Sequence, residues 1–362
     1  MSTDLDAEIA RMLEELRGAP EFLPSAFWED ANARNLAMLH AEGLARFKRT
    51  VSQNYFNWLI TSVHHPFFRH LAWRLLKAPG CWASILRPLL TWPERRIVLR
   101  LMTQDAPVVL SARQRWVYAW FVALVWETMR RHDRLGLAGR LQEPLIGAPI
   151  AIRQAGRLIS QDLANSIAEY NTFAPFLRAA AGRPAGRPLI GEIGAGYGRL
   201  AHVAAMAGTA RYAIFDIPPA LAVAQWYLGQ VLPGRRIFRF RPFDDLAAQQ
   251  AELDAADVML FTANQLRHFP DGAFDLMLTI STLPEMRPDQ ARMYLDEMAR
   301  LAAGGVFIKQ WVDWTNPEDG TRLAPADYTL GPEWEVALDQ PDPITPAFFN
   351  RLWRRRAQPS VA

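Results

Sequence analysis

Apolar positions follow two different rhythms along this chain of 362 residues. Up to about residue 180 they recur at helical spacing, as in Ile9, Met12, Leu13 and Leu16 or Phe56, Leu59, Ile60 and Val63, with proline and glycine punctuating at Pro20, Pro24, Pro66, Pro79, Gly80, Pro93 and Pro107. This pattern predicts an α-helical domain over 1–180. The longest apolar run, WVYAWFVALVW at 116–126, is far short of the roughly 20 residues a membrane-spanning helix needs. It also lacks the strongly polar face of a helix lying on a membrane, so it predicts a buried helix. The stretch AGRPAGRP at 181–188 has linker composition. After it, short apolar runs at 189–193, 212–216, 237–240, 258–262, 274–281 and 306–311 alternate with helical patterns at 200–206, 220–231 and 289–301. Alternation of this kind predicts an α/β domain over 181–362, a Rossmann-like, doubly wound, mostly parallel sheet.

Composition narrows the picture. The 40 basic and 37 acidic residues leave a net charge of +3, too mild for a nucleic-acid partner, and Arg354, Arg355 and Arg356 read as a frayed basic end. Cys81 is the only cysteine, which rules out a disulfide framework or a multi-thiolate metal site within one chain and fits a reducing, cytoplasmic setting. The N-terminus is acidic and amphipathic where a signal peptide would be basic and then apolar. Stable membrane insertion is not expected.

The chemistry concentrates in LIGEIGAGYGRL at 189–200. A buried strand ends at Glu192 and Ile193, and Gly194, Gly196 and Gly198 allow a tight turn and close approach of a ligand to the backbone. A dinucleotide fingerprint G-x-G-x-x-G would need a third glycine where Arg199 stands. An acidic residue two positions before G-x-G-x-G resembles instead the first motif of S-adenosylmethionine-dependent methyltransferases. In an open parallel sheet, ligands lie beyond the carboxyl ends of the strands. Asp216, ending RYAIFD, can accept both hydroxyls of a ribose, and a turn role before Pro218 and Pro219 is the plain alternative. Asn264 and Gln265 follow the strand at 258–262 and could pair with an adenine edge or serve as surface turn residues. Glu285, Gln310 and Asp313 follow the last two strand candidates.

The segments EIGAGYGRLAHVAA, YAIFDIPPALAVAQWYL, FDLMLTISTLPEM and VFIKQW, with FWEDANARN, FKRTVSQNYFNW and EPLIGAPIAIRQAGRLISQDLANS in the helical half, resemble the bacterial sugar O-methyltransferases. The resemblance covers most of the chain. It implies a class I methyltransferase fold, S-adenosyl-L-methionine as cofactor, contact with it at Glu192, Gly194, Gly196, Gly198 and Asp216, and a sugar or nucleotide-linked glycan precursor as acceptor. It carries over no catalytic base.

A hydroxyl acceptor must lose its proton, which calls for a base or a metal. Glu285 is the first candidate and His268 the second. Both have plain readings, as a polar residue ahead of a helix and as a solvent-facing loop histidine. The adjacent His64 and His65 do not share a helix face, and no cluster has metal-ligand spacing, so no metal is expected. In FKRTVSQNYFNW, the cations Lys48 and Arg49, the amide Asn54 and the ring of Trp58 suit a phosphorylated or nucleotide-linked sugar. The same segment reads as an amphipathic helix with Phe47, Val51 and Tyr55 inward and Lys48 and Arg49 in water. Asn165, Glu169 and Tyr170 are candidates for closing over the cofactor. Self-association into a homo-oligomer is compatible with this reading. Three rivals stand beside it: an O- or N-methyltransferase of natural-product biosynthesis, a nicotinamide oxidoreductase, and a non-catalytic binding protein on a methyltransferase scaffold.

Overall fold

A computed structural model describes residues 2–49, 58–101, 106–316 and 320–356. The chain divides into two compact units, one of Met1–Asn32, Phe173–Asp342 and Pro346–Ala362, the other of Ala33–Thr172 and Pro343–Thr345. The first 32 residues therefore group with the sheet, and not with the helical half where periodicity alone put them. The expected linker is no boundary either. The Ala180 amide donates to Asp275 Oδ1 (2.7 Å), while Arg183 Nε (2.8 Å) and the Leu189 amide (2.7 Å) donate to Oδ2, stapling this stretch onto the sheet unit.

The sheet has eight strands: β1 (Leu189–Ile193), β2 (Arg211–Asp216), β3 (Ile237–Phe238), β4 (Val258–Thr262), β5 (Phe274–Ile280), β6 (Ala302–Trp311), β7 (Trp334–Pro341) and β8 (Phe348–Arg355). Their order is β7-β8-β6-β5-β1-β2-β4-β3. The strands β6, β5, β1, β2, β4 and β3 pair in parallel, and β8 joins β6 antiparallel. Strands β1, β2, β4 and β5 are buried along their whole length, as runs without alternation must be when both faces are covered. The architecture is the expected Rossmann-like α/β sheet. The hairpin β7–β8 has no counterpart in the sequence reading, and the three terminal arginines are not frayed: Arg354 pairs with Glu335 across the hairpin and Arg355 donates to the Ala299 and Ala302 carbonyls.

Helices α2 (Arg199–Ala207) and α3 (Ala220–Val231) cover one face, where Ile214 and Leu228 meet the glycine turn. The other face is covered by α5 (Pro288–Leu301) and, where a crossover helix between β4 and β5 would lie, by α1 (Ser2–Arg17) and the turn after it. The β4–β5 connection contains only a short 3-10 helix, Ala263–His268. Leu16, Ala19 and Phe22 fill the gap, sharing one apolar cluster with Phe215, Phe261 and Tyr294.

The helical unit contains Pro66–Leu76, Cys81–Leu89 and Ala112–Arg130, and the last of these buries Tyr118, Ala119 and 121–129, most of the 116–126 run, while Trp116 at the start of that run is 45% exposed. No described helix is long and apolar enough to cross a membrane. Helical spacing at Leu59, Ile60 and Val63 is not realised, because 58–62 are irregular and 63–64 form a turn before Pro66 starts the next helix.

Phe22 is 2% exposed and meets the Tyr294 ring edge-on at 5.7 Å. Phe22→Ala is expected to destabilise the protein by about 3–5 kcal/mol in urea denaturation, a core cost at a position that periodicity would assign to another domain.

Candidate functional site

The site grows from the carboxyl ends of β1 and β2. After Ile193 the chain turns through Gly194, Gly196 and Gly198, all in the left-handed region at φ 73°, 58° and 80°, and enters α2 at Arg199. A Cβ at Gly194 would lie 2.4 Å from Thr282 Oγ1, so this turn and the loop after β5 touch. At Gly196 a Cβ would meet nothing within 4 Å, leaving the tip of the turn open on that side.

Asp216, the last residue of β2, is bound to this turn. Its Oδ2 accepts the Gly196 amide at 2.7 Å and its Oδ1 the Ile217 amide at 2.7 Å. Burial pushes the carboxyl up to about 7, against the pull of the two N–H donors. Burial, and secondarily the charge of Asp216, raises the Tyr294 phenol. Glu192, two positions before the turn, is 3% exposed, and its Oε2 accepts the Tyr212 hydroxyl at 2.8 Å.

The loop after β5 supplies the second side. Ser281 adopts φ 56°, a strained conformation for serine, and Thr282 Oγ1 donates to the Ile280 carbonyl at 3.0 Å with the Gly194 carbonyl 3.5 Å away. Glu285 follows in a 3-10 turn and is half-buried. Burial pushes its carboxyl up to about 8, with a hydrogen bond from Trp28 pulling the other way, and Ser25 Oγ binds its carbonyl at 2.8 Å. Burial thus favours the protonated form of Glu285, which the N-terminal segment holds in place. Beside Ser281, Trp311 Nε1 donates to Ser281 Oγ at 3.1 Å, and the Trp311 ring packs on Trp314 and Phe348 with centroids 5.2 and 4.2 Å apart.

The remaining candidates are engaged elsewhere. Gln265 is fully buried in a capping box with Thr262 and donates to the Arg241 carbonyl, and Asn264 donates to Glu15 on α1. Neither offers its side-chain amide nitrogen to a ligand. His268 packs on Phe243, and among the described residues no contact ties it to the glycine turn. Lys48 is fully buried, 2.5 Å from Glu143, which also accepts Ser160 Oγ. The reading of Lys48 in water therefore fails, and its ammonium is committed to a buried pair. Arg49 binds both oxygens of Glu94 at 3.0 Å, and the Trp58 amide donates to Gln161. Asn54 and Tyr55 lie outside the described residues. Gln310 reaches the Thr279 carbonyl at 3.4 Å, Asp313 pairs with Arg322 on the surface, and His65 caps the helix at Pro66. Among the described residues no group of three or more His, Cys, Asp or Glu is arranged to hold a metal ion.

Trp28, Ser281, Thr282, Tyr294 and Trp311 were not legible as site residues. Ser281 and Thr282 follow a strand, a signal that could have drawn attention to them. Trp28 and Tyr294 depend on packing between distant segments.

No family model matches the chain, and no curated protein matches it. Solved structures similar to it include magnesium protoporphyrin IX methyltransferase from Synechocystis PCC 6803 with bound SAM, 16% identical over 54% of this chain and 83% of that one, with a TM-score of 0.37. The mitomycin 7-O-methyltransferase MmcR is 14% identical over 54% and 53%, with a TM-score of 0.34. A SAM-dependent methyltransferase from Aquifex aeolicus is 14% identical over 52% and 89%, with a TM-score of 0.32. Likenesses this distant carry no functional argument, which rests on the residues.

Two expectations follow. Gly194→Ala combines a left-handed backbone with the Thr282 clash and should cost about 2–5 kcal/mol of stability, whereas Gly196→Ala should cost only about 1–2 kcal/mol; urea denaturation of both variants checks the contrast. The raised carboxyls also give a pH dependence. The native state keeps protons on Asp216 and Glu285 that the unfolded chain has already lost, so the stability they contribute is complete below about pH 4 and disappears as pH rises through 7 to 8. Thermal melts should show this fall, and Glu285→Gln should flatten its upper part.

Proposed function

We propose that this protein is an S-adenosylmethionine-dependent O-methyltransferase acting on a hydroxyl of a small polar acceptor, a sugar or glycan precursor. The observation that carries the cofactor reading is the pairing of Asp216 with the open tip of the glycine turn. A carboxylate at the end of β2 lies beside Gly196, where a Cβ would meet nothing and a ligand can approach the backbone. When bound, the cofactor supplies an electrophilic methyl group on a sulfonium. Asp216 would hold the ribose hydroxyls, using acceptor capacity left after the two amide bonds, and the 194–198 turn would line the rest of the cofactor's site. Arg199 at the third fingerprint position argues against a dinucleotide.

On the acceptor side, Glu285 is the candidate base. Its protonated form dominates below about pH 8, so the fraction able to take a hydroxyl proton grows as pH rises. Positioning of the reactants and exclusion of water would supply much of the rate in a displacement of this kind. A second reading has its own support: the Trp311, Trp314 and Phe348 rings beside Ser281 suit an aromatic acceptor of natural-product type as well as the apolar face of a sugar.

Calorimetric titration with S-adenosylhomocysteine tests the cofactor site, with NADH as control. Ribose hydroxyls favour the ionised Asp216, so affinity should rise about tenfold per pH unit below pH 7 and level off above it. Asp216→Asn should weaken binding and abolish this slope. Binding of NADH alone, or a slope unchanged in the variant, would overturn the assignment.

A further inference from the structure

The helix Cys81–Leu89 is built inside out. It buries Ser84 and Pro88 and turns Trp82, Leu86 and Leu89, spaced i, i+4 and i+7, to solvent, followed by Leu90 just beyond its end. Trp82 is 75% exposed and Leu90 64%. The neighbouring helix Pro66–Leu76 packs against it and exposes Trp73 and Leu76. Trp92 follows at 63% exposure, its ring meeting Trp116 of the helix Ala112–Arg130 at 5.4 Å. These exposed side chains gather on adjacent elements of the helical unit, and exposed large apolar side chains grouped in this way mark an interaction site. Its charge is equally one-sided. Over 66–96 the sequence carries Arg69, Arg74, Lys77, Arg87, Arg95 and Arg96, all exposed, against Glu94, which is held by Arg49; of the six, Arg87 lies 3.8 Å from Glu127 on the adjacent helix.

We infer that this face binds the surface of a lipid bilayer carrying anionic headgroups. Exposed tryptophans beside leucines, rimmed by arginine and lysine, are the chemistry of a helix lying in the interface: the rings sit at headgroup depth, leucines enter the acyl boundary, and the cations reach phosphates. Lys77 already lies over the Trp73 ring at 4.5 Å, its charge at the edge of the apolar area. A second copy of the chain is the poorer occupant, because a two-fold contact sets the same six cations against each other. The attachment is peripheral, since no described helix can span a bilayer. This inference is independent of the cofactor reading.

The full-length protein is sedimented with vesicles of phosphatidylcholine alone and with vesicles of phosphatidylcholine and phosphatidylglycerol in equal parts. Binding should be strong only to the second and should weaken with salt. The double variant Trp82→Ser, Leu86→Ser should reduce partitioning by about tenfold or more, and Arg95→Ala, Arg96→Ala by about fivefold per charge. Circular dichroism and thermal melts of these variants should match the parent, because the replaced side chains are exposed. Failure to bind anionic vesicles overturns the inference, as does equal binding by parent and Trp82/Leu86 variant. A concentration-dependent dimer that the variant breaks, without vesicle binding, overturns it in favour of self-association.

Discussion

The hydrogen bond from the Gly196 amide to Asp216 joins the two central strand ends, and the arrangement of the site depends on it. A carboxylate that is only 7% exposed needs donors. Here they come from two backbone amides, one on the turn after β1 and one immediately following β2. The turn presents its amide with Gly194, Gly196 and Gly198 in the left-handed conformation, and at Gly194 the side facing Thr282 has no room for a methyl group. Backbone, carboxylate and the loop after β5 therefore fix one another. The same burial that raises Asp216 leaves it responsive to any ligand bearing hydroxyl donors, which links the stability of the unliganded protein to its capacity to bind.

The N-terminal segment is the second constraint. Because the β4–β5 connection lacks a full helix, the face over Phe215 and Phe261 would be open without Leu16, Ala19 and Phe22. The segment then runs on through Glu21 and Leu23, whose carbonyls accept Gln290, to Ser25 and Trp28, which hold Glu285. One stretch of chain thus completes the core and positions the candidate base.

Most of the sheet was legible because parallel strands are buried on both faces and read as uninterrupted apolar runs: five of the six predicted strands match to within one residue, or begin a few residues early as β6 does. The edge strand β3 is shorter than predicted, ending at Phe238. The hairpin β7–β8 was missed because its outer strand, WEVALDQP, is largely solvent-facing and breaks its apolar run with Glu335, Asp339 and Gln340. The glycine turn and Asp216 were legible because their geometry is local. Gln265, Asn264 and Lys48 were misjudged for the opposite reason: their partners, Arg241, Glu15 and Glu143, lie 24, 249 and 95 positions away, and no local pattern announces them. The contribution of Trp28 to Glu285 was hidden in the same way.

The most direct test of the cofactor site is a crystal structure of the protein grown with S-adenosylhomocysteine. The expected result has the ribose hydroxyls within hydrogen-bonding distance of Asp216 and the amino-acid portion against the turn at Gly194 to Gly198. A ligand bound elsewhere, with Asp216 still engaged by backbone amides alone, would contradict the account.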